Sequence, residues 1–315
     1  MNRTCTKRRA LSVLTILSLV LCTFVSSLLA QAPEQISAET PGVTTFHTQT
    51  SEVQLTFSAT DQNDRVIGNL TASDFAVVDK DLIVRNFRSF TRAEYTRLDV
   101  AILLDNSDSV APRLHNELAQ MLNLIAETSG VPEESISVIS FHGAQPKVIC
   151  RGNCRNTNPA NLIMVSSQGG MTPLYDSLSF AADLLARSND VKARRALILL
   201  SDGEDTVSRN SAGEAVEDLV ANDVQVYTLD VNSSATRGGM FMRKLAVATG
   251  GRSFRLNDGA GKVADAVLAD FHASYQVTYR VPASGAGFHE VRIQPTHNLN
   301  LNFRCRQGYV EPSGR

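Results

Sequence analysis

A chain of 315 residues, 43% of them hydrophobic, can bury a sizeable core and has room for one large domain and a smaller one. Its 30 Lys and Arg stand against 32 Asp and Glu, and a formal net charge of -2 argues against nucleic acid as a partner, since that function calls for a clearly basic face.

At the N-terminus, Arg3, Lys7, Arg8 and Arg9 precede an uninterrupted uncharged stretch over residues 10–30, and Ala30-Gln31-Ala32 fits the small-x-small pattern that signal peptidase accepts. Residues 1–32 are therefore expected to be a signal peptide cleaved after Ala32. The stretch is also about as long as the roughly 20 residues that span a bilayer. An uncleaved anchor with its positive end inside stays open, and it is the one expected route to a membrane. Lipidation at Leu19-Val20-Leu21-Cys22 is disfavoured because the residue before the cysteine should be small. On either reading the remainder is exported to the periplasm, the cell surface or the medium. Residues 33–50, rich in Thr, Pro and Gln, read as a flexible lead.

Over residues 51–94, the stretches 53–57, 75–78 and 82–90 alternate or cluster like strands, with turn signals at Asp61-Gln62-Asn63-Asp64 and Val78-Asp79-Lys80-Asp81. Residues 97–273 then alternate strand and helix. A strand at 99–104 is followed by a helical stripe of Leu114, Leu118, Met121, Leu122 and Ile125, with Gly130 where a C-terminal cap would stand. A strand at 136–141 follows, then a second stripe of Leu174, Leu178, Ala181, Ala182 and Leu185, then the continuous apolar run 196–200, as a central parallel strand should be. Helices near 212–221, 239–248 and 262–272 and strands at 225–230 and 253–255 complete the pattern. The basic cluster Lys192, Arg194, Arg195 before the central strand reads as a solvated connection. Residues 274–312 return to strands at 275–281, 288–294 and 301–306. Neither β segment makes a comfortable sandwich alone, so 274–312 is expected to pair with 51–94 in one small β domain from which the α/β domain protrudes.

After export, Cys150, Cys154 and Cys305 meet an oxidising compartment. A local Cys150–Cys154 bridge in the loop-like segment Cys150-Arg151-Gly152-Asn153-Cys154 would close a small polar loop near the edge of the sheet that carries the polar loops described next, leaving Cys305 unpaired; pairing of Cys305 with either one stays open. Zinc is disfavoured, since none of the six scattered histidines stands at ligand spacing from the cysteine pair.

The chemistry concentrates where apolar strands run into small polar loops: Asp105-Asn106-Ser107-Asp108-Ser109 after the first α/β strand, then Met171-Thr172-Pro173, then Ser201-Asp202-Gly203. Buried parallel strands present such loops at their carboxyl edge, where open α/β sheets bind ligands. Asp105, Ser107, Ser109, Thr172 and Asp202 offer only oxygen donors, which suits Mg2+, or Mn2+ or Ca2+, better than zinc.

Asp105-x-Ser107-x-Ser109, Gly170-Met171-Thr172-Pro173 and Leu199-Leu200-Ser201-Asp202-Gly203 together resemble the metal-ion-dependent adhesion site of von Willebrand factor type A domains, over roughly residues 98–272. The resemblance implies a doubly wound, mostly parallel, Rossmann-like sheet with helices on both faces, and cation-dependent protein binding rather than catalysis. It further implies that Ser107 and Ser109 coordinate through hydroxyls, Thr172 directly or through water, and Asp105 and Asp202 largely through bound waters. So neutral a shell leaves the cation able to attract an Asp or Glu carboxylate from a protein partner. The flanks resemble those of type A domains in a family of exported bacterial proteins, through Leu70-Thr71-x-x-Asp74-Phe75 and Cys305-Arg306-x-Gly308-Tyr309. Two alternatives remain: a scaffold whose metal only stiffens the loops, and, more remotely, a Mg2+-dependent phosphohydrolase. Haloacid dehalogenase type phosphatases need a second aspartate two residues after the first, where this chain has Ser107. Partner identity, preferred cation and oligomeric state are not written in the sequence.

Overall fold

The computed structural model describes residues 52–63, 65–93, 96–126, 131–143, 145–154, 171–188, 193–232, 234–281 and 287–311. The expected signal or anchor, the lead at 33–50, Gly130, Gly170 and Lys192 lie outside the described residues.

The centre is a six-stranded sheet. Its strands in chain order are β5 (Leu98–Asp105), β6 (Ile136–Phe141), β7 (Lys147–Arg151), β8 (Arg194–Ser201), β9 (Val224–Asp230) and β10 (Ser253–Arg255). Their spatial order is β10-β9-β8-β5-β6-β7, all parallel except the antiparallel edge strand β7. Both faces are covered, which is why β5 and β8 read as continuous apolar runs instead of alternating. Leu98, Val100, Ile102 and Leu104 of β5 pack on one face with α1 (Ala111–Ala126) and α5 (Ala260–His272), through Leu118, Met121, Ile125, Val263, Val267 and Phe271. Ala101 and Leu103 point to the other face, against α2 (Leu174–Ala186), α3 (Ala212–Ala221) and α4 (Arg237–Ala248), through Leu178, Leu185, Leu219, Met242 and Leu245. The result is the doubly wound, mostly parallel arrangement that the alternation of elements predicts.

The flanks form two antiparallel sheets, each mixing both ends of the chain. One has the order β13-β1-β11-β4, from β1 (Glu52–Thr60), β4 (Ser89–Arg92), β11 (Ser274–Arg280) and β13 (Asn302–Cys305). The other has the order β14-β12-β2-β3, from β2 (Phe75–Asp79), β3 (Leu82–Val84), β12 (Gly287–Pro295) and β14 (Gly308–Glu311). Tyr275 lies opposite Arg92, so the chain leaves and re-enters the β layer at neighbouring positions with the α/β domain inserted between. Phe57 and Phe75, one from each sheet, pack with ring centroids 4.9 Å apart and gather Phe90, Tyr275 and Phe303 around them. Arg304 ties this layer to α5 through Asp270, and Arg306 donates to the Val220 carbonyl at 3.1 Å at the end of α3.

Several local expectations are corrected. The stretch 82–90 is two short strands in different sheets, because residues 85–88 cross from one to the other. Lys80 and Asp81 take the positive φ values of a two-residue hairpin, which leaves Asp79 in β2 and fully buried instead of in the turn. Arg194 is no solvated connection: it is 7% exposed, donates to the Phe271 carbonyl at 2.8 Å and lies over the Phe271 ring.

The structure bonds Cys150 to Cys154 and leaves Cys305 free, its thiol pushed up to about 12 by burial. Cys150 is in β7, not in a loop, and the bridge is not near the polar loops. Because β7 runs antiparallel to β6, Cys150 returns to the amino edge of the sheet, where the Gly152 amide reaches the Ile136 carbonyl at 2.9 Å. Closing so short a loop should contribute about 2 kcal/mol through the unfolded chain. Urea unfolding with and without reductant is expected to show that loss, while divalent-cation binding at the opposite edge stays unchanged.

Candidate functional site

β5, β6 and β8 are parallel, so their carboxyl ends and the loops that follow share one edge. Asp105 closes β5 with its side chain fully buried. Its Oδ1 accepts from the Ser107 amide at 3.0 Å, which bends the chain out of the strand. Its Oδ2 accepts from Ser201 Oγ at 2.7 Å, and Ser201 Oγ in turn accepts from the Gly203 amide at 2.9 Å. Ser201, not singled out from the sequence, therefore locks the first polar loop to the third. Burial pushes the Asp105 carboxyl up; hydrogen bonds from Ser201 and Ser107 oppose this, and the charge of Asp202 adds to it.

Ser107 Oγ and Ser109 Oγ are 3.3 Å apart, and Ser109 Oγ donates to Asp202 Oδ2 at 3.4 Å. The other Asp202 oxygen accepts from the Glu204 amide at 3.0 Å. Four of the five residues expected from the sequence thus form one hydrogen-bonded set. The fifth, Thr172, is tied to the loop after Asp202: its amide donates to Thr206 Oγ1 at 2.7 Å, and the Thr206 amide donates to its carbonyl at 3.0 Å. Met171 accepts from the Gly143 amide at 2.9 Å just past β6, so the threonine segment sits at the same edge.

A supporting layer escapes sequence reading because its parts are distant along the chain. Asp176, in the first turn of α2, accepts from the Arg209 and Asn210 amides at 3.1 and 2.9 Å, and Asp205 Oδ1 accepts from the Tyr175 amide at 3.3 Å. Asn232 Nδ2 donates to the Asp202 carbonyl at 3.3 Å. Gly203, at φ +78°, and Gly238 pack backbone to backbone, and a Cβ on Gly238 would fall inside the van der Waals shell of the Asp202 carbonyl oxygen. Only glycines allow α4 to start this close to the Asp202 loop.

Chemically, the set is two carboxylates and two hydroxyls, with a third hydroxyl residue on the adjoining segment. Among the described residues neither Asp105 nor Asp202 takes part in an ion pair, and no cluster of three or more His, Cys, Asp or Glu is placed to hold a metal. A cation here would draw on Ser and Thr oxygens, a donor set that fits a hard ion such as Mg2+, Mn2+ or Ca2+.

Residues 100–204 match the family model of the von Willebrand factor type A domain. No curated protein matches the chain. Among solved structures, the chain is similar to an aerotolerance-related membrane protein from Bacteroides fragilis, with 16% identity, 55% of this chain and 98% of that chain covered, and a TM-score of 0.43. It is similar to proximal thread matrix protein 1 from the mussel byssus with a zinc-occupied MIDAS motif, with 13% identity, 56% and 48% covered, and a TM-score of 0.44. It is also similar to manganese-loaded TRAP protein from Plasmodium vivax, with 16% identity, 76% and 100% covered, and a TM-score of 0.42.

Proposed function

The chain is a von Willebrand factor type A domain protein, and from that premise we propose that it is an exported interaction module that captures an acidic side chain of a partner protein through a divalent cation. The observation that carries this reading is the gathering of Asp105 and Asp202, without cationic partners among the described residues, around the Ser107–Ser109 loop: Asp105 through the Ser107 amide and Ser201, Asp202 through the Ser109 hydroxyl, which lies against that of Ser107. Two carboxylates gathered at a sheet edge repel each other unless a positive charge joins them. Ser107, Ser109 and Thr172 would hold the ion through hydroxyl oxygens, and Asp105 and Asp202 would orient its waters. When bound, Mg2+, Mn2+ or Ca2+ supplies a positive centre that a carboxylate from outside can complete.

The chain's own residues prepare the rest. Ser201 and the Ser107 amide hold Asp105 in a single orientation. The Thr172–Thr206 clasp positions the threonine segment, and Met171 and Val207 beside it are 37% and 41% exposed, offering apolar contact to a protein surface. The Cys150–Cys154 bridge accords with an oxidising, extracytoplasmic location. Among the described residues no helix is long and apolar enough to cross a membrane.

The test immobilises short peptides that carry one Glu or Asp, with Gln and Asn counterparts, and measures binding of the full chain in Mg2+ or Mn2+ and in chelator. Binding that needs both cation and carboxylate, and weakens at least about tenfold when either is removed, is expected. Equal binding in chelator would overturn the reading, and cation uptake without peptide binding would favour the scaffold alternative.

A further inference from the structure

A cavity of about 550 Å³ opens at the amino edge of the central sheet, under the end of α2, with Arg97, Asp99, Glu134, Arg151 and Arg187 among its lining residues. That volume is in the range of small-molecule sites. It lies some six residues down β5 from Asp105, on the order of 20 Å at the rise of a strand, so it is separate from the cation edge. We infer that this cavity is a second binding site, for a small zwitterion of the α-amino acid class.

Asp99 is the centre of the argument. It stands in β5 on the face of Ala101 and Leu103, is 5% exposed, and its Oδ1 accepts from Arg97 Nε at 2.9 Å. Its Oδ2 is buried without a hydrogen-bond partner. Such an oxygen is costly unless a donor reaches it. Asp99 lines the cavity, so a cationic donor that enters it can reach this carboxylate. Arg97 also faces the largely exposed Glu134 at 3.6 Å, so its charge is shared with a rim carboxylate and Asp99 is the one buried carboxylate of the lining. Leu184, Leu185, Arg187 and Ser188, at the carboxyl end of α2, line the same space. The negative end of a helix adds to the preference for a cation there.

At the mouth, where Glu134 is met by Arg97, two further guanidiniums stand. Arg151 and Arg187 are exposed, and neither has an ion-pair partner among the described residues. Arg151 lines the cavity and directly follows Cys150, which is bonded to Cys154. An ammonium directed inward to Asp99 Oδ2 and a carboxylate met at the mouth by Arg151 and Arg187 match this charge order, while Leu184 and Leu185 offer apolar surface to a side chain.

The experiment titrates the full chain with the twenty L-amino acids by calorimetry, then compares the best binder with its decarboxylated amine and its deaminated acid. Saturable binding by at least one amino acid, at least tenfold tighter than either half-molecule, is expected. Asp99→Asn should weaken it at least tenfold, and Arg187→Ala, which removes a surface side chain and leaves the Asp99–Arg97 pair intact, should weaken it at least threefold. Mn2+ titration of both variants should match the parent, which separates this site from the cation edge. No binding by any amino acid, an amine that binds as well as its amino acid, or full affinity in Arg187→Ala would overturn the proposal.

Discussion

Asp105→Asn is expected to weaken Mn2+ binding by at least ~100-fold, above the 10- to 100-fold that loss of a supporting ligand typically costs, without harming the fold. Asn keeps an oxygen for the Ser107 amide and can still meet Ser201, so the loop geometry of Asp105 is retained. What is lost is one of the two carboxylates that make the edge attractive to a cation. The direction for stability follows from the raised carboxyl of Asp105. A carboxyl whose folded value lies above its unfolded one binds protons more readily when folded, so it contributes stability at low pH and loses it as pH rises through that interval. Wherever it is ionised, the buried Asp105 is therefore a cost to the metal-free fold, and removing its charge should leave the variant no less stable than the parent. Calorimetric titration with Mn2+, together with thermal unfolding in chelator, checks both halves. Unchanged affinity would remove Asp105 from the site, and a markedly lowered unfolding temperature would make its role structural.

Asp79→Ala should have the largest effect on stability, a loss of about 3–5 kcal/mol, since a buried polar group left without its partner costs about 1–3 kcal/mol and three such groups meet Asp79. Asp79 is fully buried in β2 and accepts from Tyr279 at 2.9 Å and from Tyr309 at 2.8 Å, with His289 Nδ1 at 3.2 Å from its other oxygen. Burial, followed by the neighbouring Asp79, pushes the Tyr279 hydroxyl far up, and Tyr309 is raised by burial and by its bond to Asp79, so both remain donors at any working pH. Alanine would leave two hydroxyls and an imidazole facing a void. The residues come from β2, β11, β12 and β14, so their loss should loosen both flanking sheets together. Urea unfolding followed by tyrosine fluorescence measures the loss; a change below about 1 kcal/mol would show that water replaces the carboxylate at no cost.

Local chemistry explains which parts were readable. The helices of the α/β domain show as apolar stripes because one face of each meets a sheet, and β5 and β8 show as unbroken apolar runs because both of their faces are covered. The edge strand β7 stayed hidden: Lys147–Arg151 is largely exposed, and its glycine and asparagine neighbours read as a loop. β14 stayed hidden because four residues carry no period of their own and pair only with β12. Arg194 read as solvent-facing because charge is normally exposed, while its stem and guanidinium are placed by the Phe271 ring and carbonyl, 77 positions away.

The loops after β5 and β8 were visible because a buried strand ends where its apolar run ends and small polar residues take over, and the threonine segment was visible from its place just before a helical stripe. The residues that hold the loops in register were not visible, since Ser201, Thr206, Asp176 and Asn232 act through hydrogen bonds to partners 30 or more positions away. The amino acid order by itself determined the alternation of strand and helix, the doubly wound class and the oxygen character of the candidate site, because these depend on periods and residue types within a few turns of chain. Only the tertiary structure decided the interleaving of the two flanks, the burial of Asp79 and Arg194, and the return of Cys150 and Cys154 to the amino edge. Each of these depends on which strand pairs with which, a choice made by long-range burial and hydrogen bonding that no local pattern encodes.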